Sequence, residues 1–97
     1  MLTSKQRAYL RALANSIDTV VMVGKGDLDE QVFKTADEAI TARELIKGKV
    51  LEASSLSSRE AADQIALSID ADVVQVIGSK FVLYRKNKKD PKIKLPR

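Results

Sequence analysis

Thr19-Val20-Val21-Met22-Val23-Gly24-Lys25-Gly26-Asp27 is the stretch on which the fold turns. Five consecutive apolar or β-branched residues are too short a run for a helix and predict a buried strand. Glycine then interrupts the run twice. From about Asp29 to Arg43 the spacing changes to that of a helix, with Val32, Phe33, Ala36 and Ile40 falling on one face. The unit is strand, glycine loop, helix.

On the N-terminal side, Ser4 to Ala14 reads as a helix. Thr3 is placed to cap it, and Gln6 three residues on completes a capping-box spacing. Leu10, Leu13 and Ala14 form its apolar stripe. Arg7 and Arg11, four apart, share a face away from that stripe, with Lys5 near them. On the C-terminal side, Leu45 to Val50 alternates, so that Ile46, Gly48 and Val50 share one side and Lys47 and Lys49 the other. Ser57 and Glu60 repeat the capping-box spacing ahead of a third helix carrying Ala62, Ile65, Ala66 and Ile69 inward. Val73 to Ile77 and Lys80 to Tyr84 flank Gly78-Ser79, which suits a two-residue hairpin turn pairing residue 77 with 80. That register puts Val74, Val76, Phe81 and Leu83 on one face. Val73, Gln75, Ile77, Lys80, Val82 and Tyr84 fall on the other, where tail residues Ile93 and Leu95 are the expected cover. The order α-β-α-β-α-β-β predicts an α/β fold: one domain over residues 1–97, a four-stranded mixed sheet, helices largely on one side.

Composition narrows the function. With neither cysteine nor histidine in 97 residues, thiolate metal sites, disulfides and the commonest general base are excluded. No nucleophile-and-base constellation is visible, so no catalytic residue, metal or cofactor is assigned, and the chain reads as a binding protein rather than an enzyme. The start, MLTSKQRAYLRAL, lacks the apolar run of a signal peptide, and no segment suggests a membrane span; a cytoplasmic protein is expected. The net charge of +4 is unevenly divided. Lys80 to Arg97 holds eight basic residues against one acid, Asp90, whereas residues 1–79 hold nine against twelve. That asymmetry points to a polyanionic partner, the alternative being a solvated basic tail, from about residue 86, that aids solubility. Glu30, Asp37 and Glu44, seven apart on the second helix, read as a solvated acidic stripe.

A glycine loop that ends a strand and opens a helix lets backbone amides approach phosphate closely, with the helix N-terminus adding partial positive charge. The loop matches neither the P-loop nor the dinucleotide fingerprint. It fits the clamping of a nucleic-acid backbone better, as the G-x-x-G loop of KH domains does, although two glycines in a turn are common as structure alone.

Taken together, VMVGKGDL, ELIKGKV, VVQVIGSKFVLYR and KIKLPR resemble, in order and across essentially the whole chain, the CRM domain (chloroplast RNA splicing and ribosome maturation) in its short, stand-alone bacterial YhbY-type form. The resemblance implies a fold related to the C-terminal domain of the third translation initiation factor. It also implies RNA binding, with association to the precursor of the large ribosomal subunit. Its G-x-x-G loop falls on Gly24, Lys25, Gly26 and Asp27, and its basic surface on Lys5, Arg7 and Arg11; Arg85, Lys86 and the Lys-rich tail extend the charged footprint. Asp27 departs from the pattern, which has glycine there. A carboxylate repels phosphate, and the expectation is that Asp27 instead caps the second helix, with Glu30 three residues on. Phe33 and Phe81 are expected in the core, and Tyr84 is expected to be structural rather than a stacking platform. The expected partner is ribosomal RNA or its precursor particle, with no membrane or small-molecule substrate, bound by a monomer. The rival reading is an adaptor that docks on a ribosomal protein or assembly GTPase through the acidic second helix.

Overall fold

Residues 2–97 are described by the computed structural model. The elements are α1 (Ser4–Ala14), β1 (Thr19–Val23), α2 (Glu30–Arg43), β2 (Leu45–Val50), α3 (Ser58–Ile69), β3 (Asp72–Ile77) and β4 (Lys80–Tyr84). Thr3 with Gln6 and Ser57 with Glu60 both form complete capping boxes, satisfying amides that would otherwise lack partners at the starts of α1 and α3. The strands make one sheet in the order β1-β2-β4-β3. β1 and β2, joined through α2, are parallel, and the other pairings are antiparallel, so the sheet is mixed. No helix among the described residues is long and apolar enough to cross a membrane.

Each sheet face carries its own core. On one, α2 and α3 bury Ala36, Ile40, Ala62, Ile65 and Ile69 against Val21, Val23, Ile46, Val50, Phe81 and Leu83. On the other, α1 buries Leu10 and Ala14 against Leu45, Val74, Val82 and Tyr84, with Ile93 and Leu95 of the tail packed alongside. Two of the three helices thus share a side, as expected, and α1 takes the opposite one. Val82 and Tyr84 of β4, expected under the tail, are the floor of this second core and are covered by α1 as well.

The hairpin turn pairs Ile77 with Lys80 as predicted, and Gly78 there has φ +58, a left-handed conformation that glycine adopts without penalty. The register then shifts between Val73 and Gln75. Beyond this irregularity Val73, not Val74, faces Leu83, so Val73 packs with the α2/α3 core and Val74 with the α1 core. The regular alternation expected from the sequence fails here because an extra residue reverses the side-chain phase of everything beyond it. Gly48 has a separate requirement. A Cβ at this position would lie 2.2 Å from Cζ of the fully buried Phe81 ring, so the central strand leaves room for that ring only because residue 48 has no side chain.

Glu44 departs furthest from expectation. It is not part of a solvated stripe but fully buried, the C-cap of α2 with φ 65, immediately before β2. Its carboxylate accepts N–H bonds from Asn87 (2.7 Å), Lys92 (2.5 Å) and Ile93 (2.7 Å), while its carbonyl accepts from the Arg85 N–H (2.9 Å). Burial alone raises the carboxyl pKa; the three amides and the Lys92 charge outweigh that and hold it below the ordinary value. Asp37 is likewise drawn out of the stripe, by an ion pair with Arg85 at 2.8 Å.

Two substitutions test this construction. Glu44→Ala is expected to cost about 1.5–3 kcal/mol, the range for hydrogen bonds to a charged group, and to remove hydrogen-exchange protection at Asn87, Lys92 and Ile93; Glu44→Gly, free of the left-handed backbone penalty, should cost about 1 kcal/mol less. Gly48→Ala is expected to lower stability by about 1–3 kcal/mol through overpacking against Phe81, read from the denaturation midpoint.

Candidate nucleic-acid interface

The glycine loop leaves β1 at Val23 and closes on itself through the Asp27 N–H, which donates to the Gly24 carbonyl at 2.9 Å. Of its four residues, Asp27 alone has positive φ, at 52°. The left-handed position therefore falls where the resembled pattern has glycine, and an aspartate occupies it because a short polar side chain can bond locally there. Its carboxylate accepts the hydroxyls of Ser54 and Ser55, each at 2.6 Å, and the Ser55 amide at 2.9 Å. These donors, the Ser54 hydroxyl foremost, then the Ser55 hydroxyl and amide, pull the carboxyl pKa below its ordinary value against a small opposing effect of burial.

This corrects the expected capping role. Asp29 is the N-cap of α2, its Oδ1 accepting the Val32 N–H at 2.9 Å, and Asp27 is spent on tying the glycine loop to the β2–α3 turn. The helix starts two residues later than that reading required. The charge of Asp27 is nonetheless committed to hydrogen bonds within the protein. Lys25 is exposed in the loop. A Cβ at Gly24 or Gly26 would meet its nearest neighbour at 3.6 or 3.5 Å, ordinary contact distances, so the fold itself does not require glycine at either position.

The residues of the first helix divide. Arg7 donates to the Val73 carbonyl on β3 and is half-buried, whereas Arg11, one turn on along the same flank, is exposed. Lys5 is exposed but, two residues before Arg7, projects from a different side of the helix and does not join that flank.

Arg85, expected to extend the basic footprint, has internal partners for its guanidinium. Its guanidinium donates to Asp37 (2.8 Å), the Ile69 carbonyl (2.7 Å) and the Thr41 hydroxyl (2.5 Å), clamping the C-terminal ends of α2 and α3 to β4. A sequence run of basic residues cannot reveal which member has internal acceptors. Lys86, next in the chain, is exposed beside Gln6 and Tyr84. Tyr84 itself is buried, and burial first, then the charges of Glu44 and Asp72, raises its pKa; it is structural, as expected, and Phe81 is core. Phe33 is partly buried against the same core.

Lys47, Lys49 and Lys80 were not among the expected site residues. The pairing places Lys49 directly opposite Lys80 on adjacent central strands, with Lys47 two residues along on the same face. Their signal was present in the alternation of Leu45–Val50, but only the sheet order brings β2 beside β4. Among the described residues, the ion pairs are Arg59–Asp63, Arg85–Asp37 and Lys92–Asp90, so neither Lys25 nor these three lysines has an acidic partner.

Because the Asp27 carboxyl pKa is depressed in the folded protein, its contribution to stability is complete above the ordinary aspartate value and disappears as the pH falls through the lower folded value. The difference in melting temperature between wild type and Asp27→Asn is therefore expected to be largest near neutral pH and to shrink at acid pH.

Residues 2–85 match the family model of the CRS1/YhbY (CRM) domain. The chain is 36% identical over 96 residues to a Bacillus subtilis protein named "Probable RNA-binding protein YqeI", covering 99% of this chain and 100% of the relative. It is 38% identical over 96 residues to a Haemophilus influenzae protein named "RNA-binding protein", covering 99% and 96%. The solution structure of SAV1595 from Staphylococcus aureus superposes with a TM-score of 0.82 at 42% identity, covering 99% of this chain and 100% of that one. A two-sided α/β sheet with a glycine loop after its edge strand, matched end to end by these relatives, is thus the architecture of a chain that belongs to the CRS1/YhbY (CRM) domain family.

Proposed function

We propose that this protein binds RNA through the glycine loop and the exposed flank of α1, and that it acts in the cytoplasm in assembly of the large ribosomal subunit, binding ribosomal RNA or its precursor as a monomer. The observation that carries the reading is end-to-end similarity to relatives named as RNA-binding proteins. All 97 residues act as one RNA-binding domain, and the role is binding rather than catalysis. The loop supports it physically: glycines 24 and 26, which the fold does not need, leave the backbone open to a phosphate, and Lys25 supplies charge beside it. Arg11, Lys5 and Lys86 add exposed cations, and Arg7 retains guanidinium donors beyond the one used on Val73. Asp27 contributes by holding the loop, and Arg85 by holding the scaffold.

The adaptor reading has less support: along α2, Glu44 is buried and Asp37 pairs with Arg85, which leaves Glu30 and Glu38 as exposed acids outside any ion pair among the described residues.

Crosslinking and sequencing of bound RNA in cells, with sedimentation across ribosomal particles, tests the proposal. Wild type is expected on large-subunit precursor RNA, and Lys25→Glu combined with Arg11→Glu is expected to reduce that enrichment by about tenfold or more through lost phosphate contacts. Background-level crosslinks in wild type, or equal enrichment in the variant, would overturn it.

A further inference from the structure

The face that carries α1 is covered over only part of its length. Leu10, Ala14 and the tail lie over Leu45, Val74, Val82 and Tyr84, which leaves the end of the sheet nearest the glycine loop open. One cross-strand row lies there in register: Met22 on β1 opposite Lys49 on β2, Lys49 opposite Lys80 on β4, and Lys80 opposite Ile77 on β3. Their neighbours Val21, Val23, Val50, Phe81 and Val76 pack with α2 and α3, so these four side chains project from the other face. Met22 is 57% and Ile77 63% exposed. Two lysines stand side by side in the centre of the sheet, flanked on both edge strands by bare apolar side chains, and Lys47 lies one row further in.

Like charges directly opposite each other across a strand pair destabilise a sheet. Here no acid offsets them. The arrangement suits a ligand that brings anions to the centre and flat apolar surfaces to the edges. A duplex offers phosphates but keeps its bases stacked inside, whereas a single strand presents both; four-stranded sheets elsewhere hold two or three splayed bases on aromatic side chains, a place taken in this row by the apolar Met22 and Ile77. Resting on the RNA-binding reading above, we infer that this row, Met22-Lys49-Lys80-Ile77, is a platform for single-stranded RNA, the lysines meeting phosphates and Met22 and Ile77 meeting bases, continuous with Lys25 on the loop above β1.

The test is fluorescence anisotropy of a labelled 12-nucleotide single strand and the matching duplex over a range of salt. Three proteins are compared with wild type: Lys49→Gln with Lys80→Gln, Met22→Ser with Ile77→Ser, and Lys25→Gln alone. The lysine pair is expected to bind the single strand at least tenfold more weakly, with the slope of log K against log salt reduced by about 1.4, the value for two phosphate contacts on a single strand. The apolar pair is expected to weaken single-strand binding several-fold with an unchanged slope and no effect on duplex. Met22, Ile77 and Lys80 are exposed and Lys49 is half-exposed, and the lysine pair should melt no lower than wild type, since a repulsion is removed. If wild type binds the single strand and both row variants bind it equally well, the platform is refuted while the RNA-binding reading survives through Lys25→Gln. If wild type binds neither RNA, the general reading falls and the platform with it. Row-dependent binding to anionic phosphatidylserine vesicles without row-dependent binding to RNA would also overturn the inference.

Discussion

A single buried carboxylate, that of Glu44, holds the two halves of this molecule in relation. It sits where α2 passes into β2 with no intervening loop, in a left-handed backbone conformation that a non-glycine residue adopts at a cost. Removing a charge from water is expensive, and only a full set of donors makes it tolerable. Those donors are the backbone amides of Asn87, Lys92 and Ile93, so the carboxylate can be buried only if the tail folds back over it. The tail in turn brings Ile93 and Leu95 onto the second core. What composition presents as a strongly basic, proline-interrupted end is therefore drawn into the fold by an acid more than forty residues earlier in the chain.

The charged residues separate into those that build and those left free. Arg85 closes a junction between α2, α3 and β4, and Asp27 anchors the glycine loop to a serine turn. Both have the residue type expected to meet or repel phosphate, yet both spend their charge on internal partners. Lys25, Lys47, Lys49, Lys80 and Arg11 have no acidic partner among the described residues. A polyanion-binding surface is better located by asking which cations lack acceptors than by asking where cations are numerous, because Coulomb energy already satisfied at short range is not available to a ligand.

Much of the fold is legible locally. Capping boxes at Thr3/Gln6 and Ser57/Glu60, the glycine hairpin at residue 78 and the alternation along β2 each depend on contacts within a few residues, and each appears as expected. What the sequence does not show has one cause. The irregularity near Val74, the burial of Glu44, the internal use of Arg85 and the Ser54–Ser55 partnership of Asp27 all involve residues between seven and about fifty positions distant. The same holds for the candidate site: its loop could be read from adjacent letters, but the opposition of Lys49 and Lys80 required the sheet order.

Element types, their order, the hairpin and the glycine loop are legible in the sequence alone, because hydrophobic period, capping and turn chemistry act over one or two turns of chain. Only the tertiary structure shows that α1 joins the tail on the face opposite α2 and α3, which charges are neutralised within the protein, and which row of the sheet is left bare. Those outcomes depend on which strands become neighbours, and strand adjacency is set by the joint burial of two cores rather than by any local pattern.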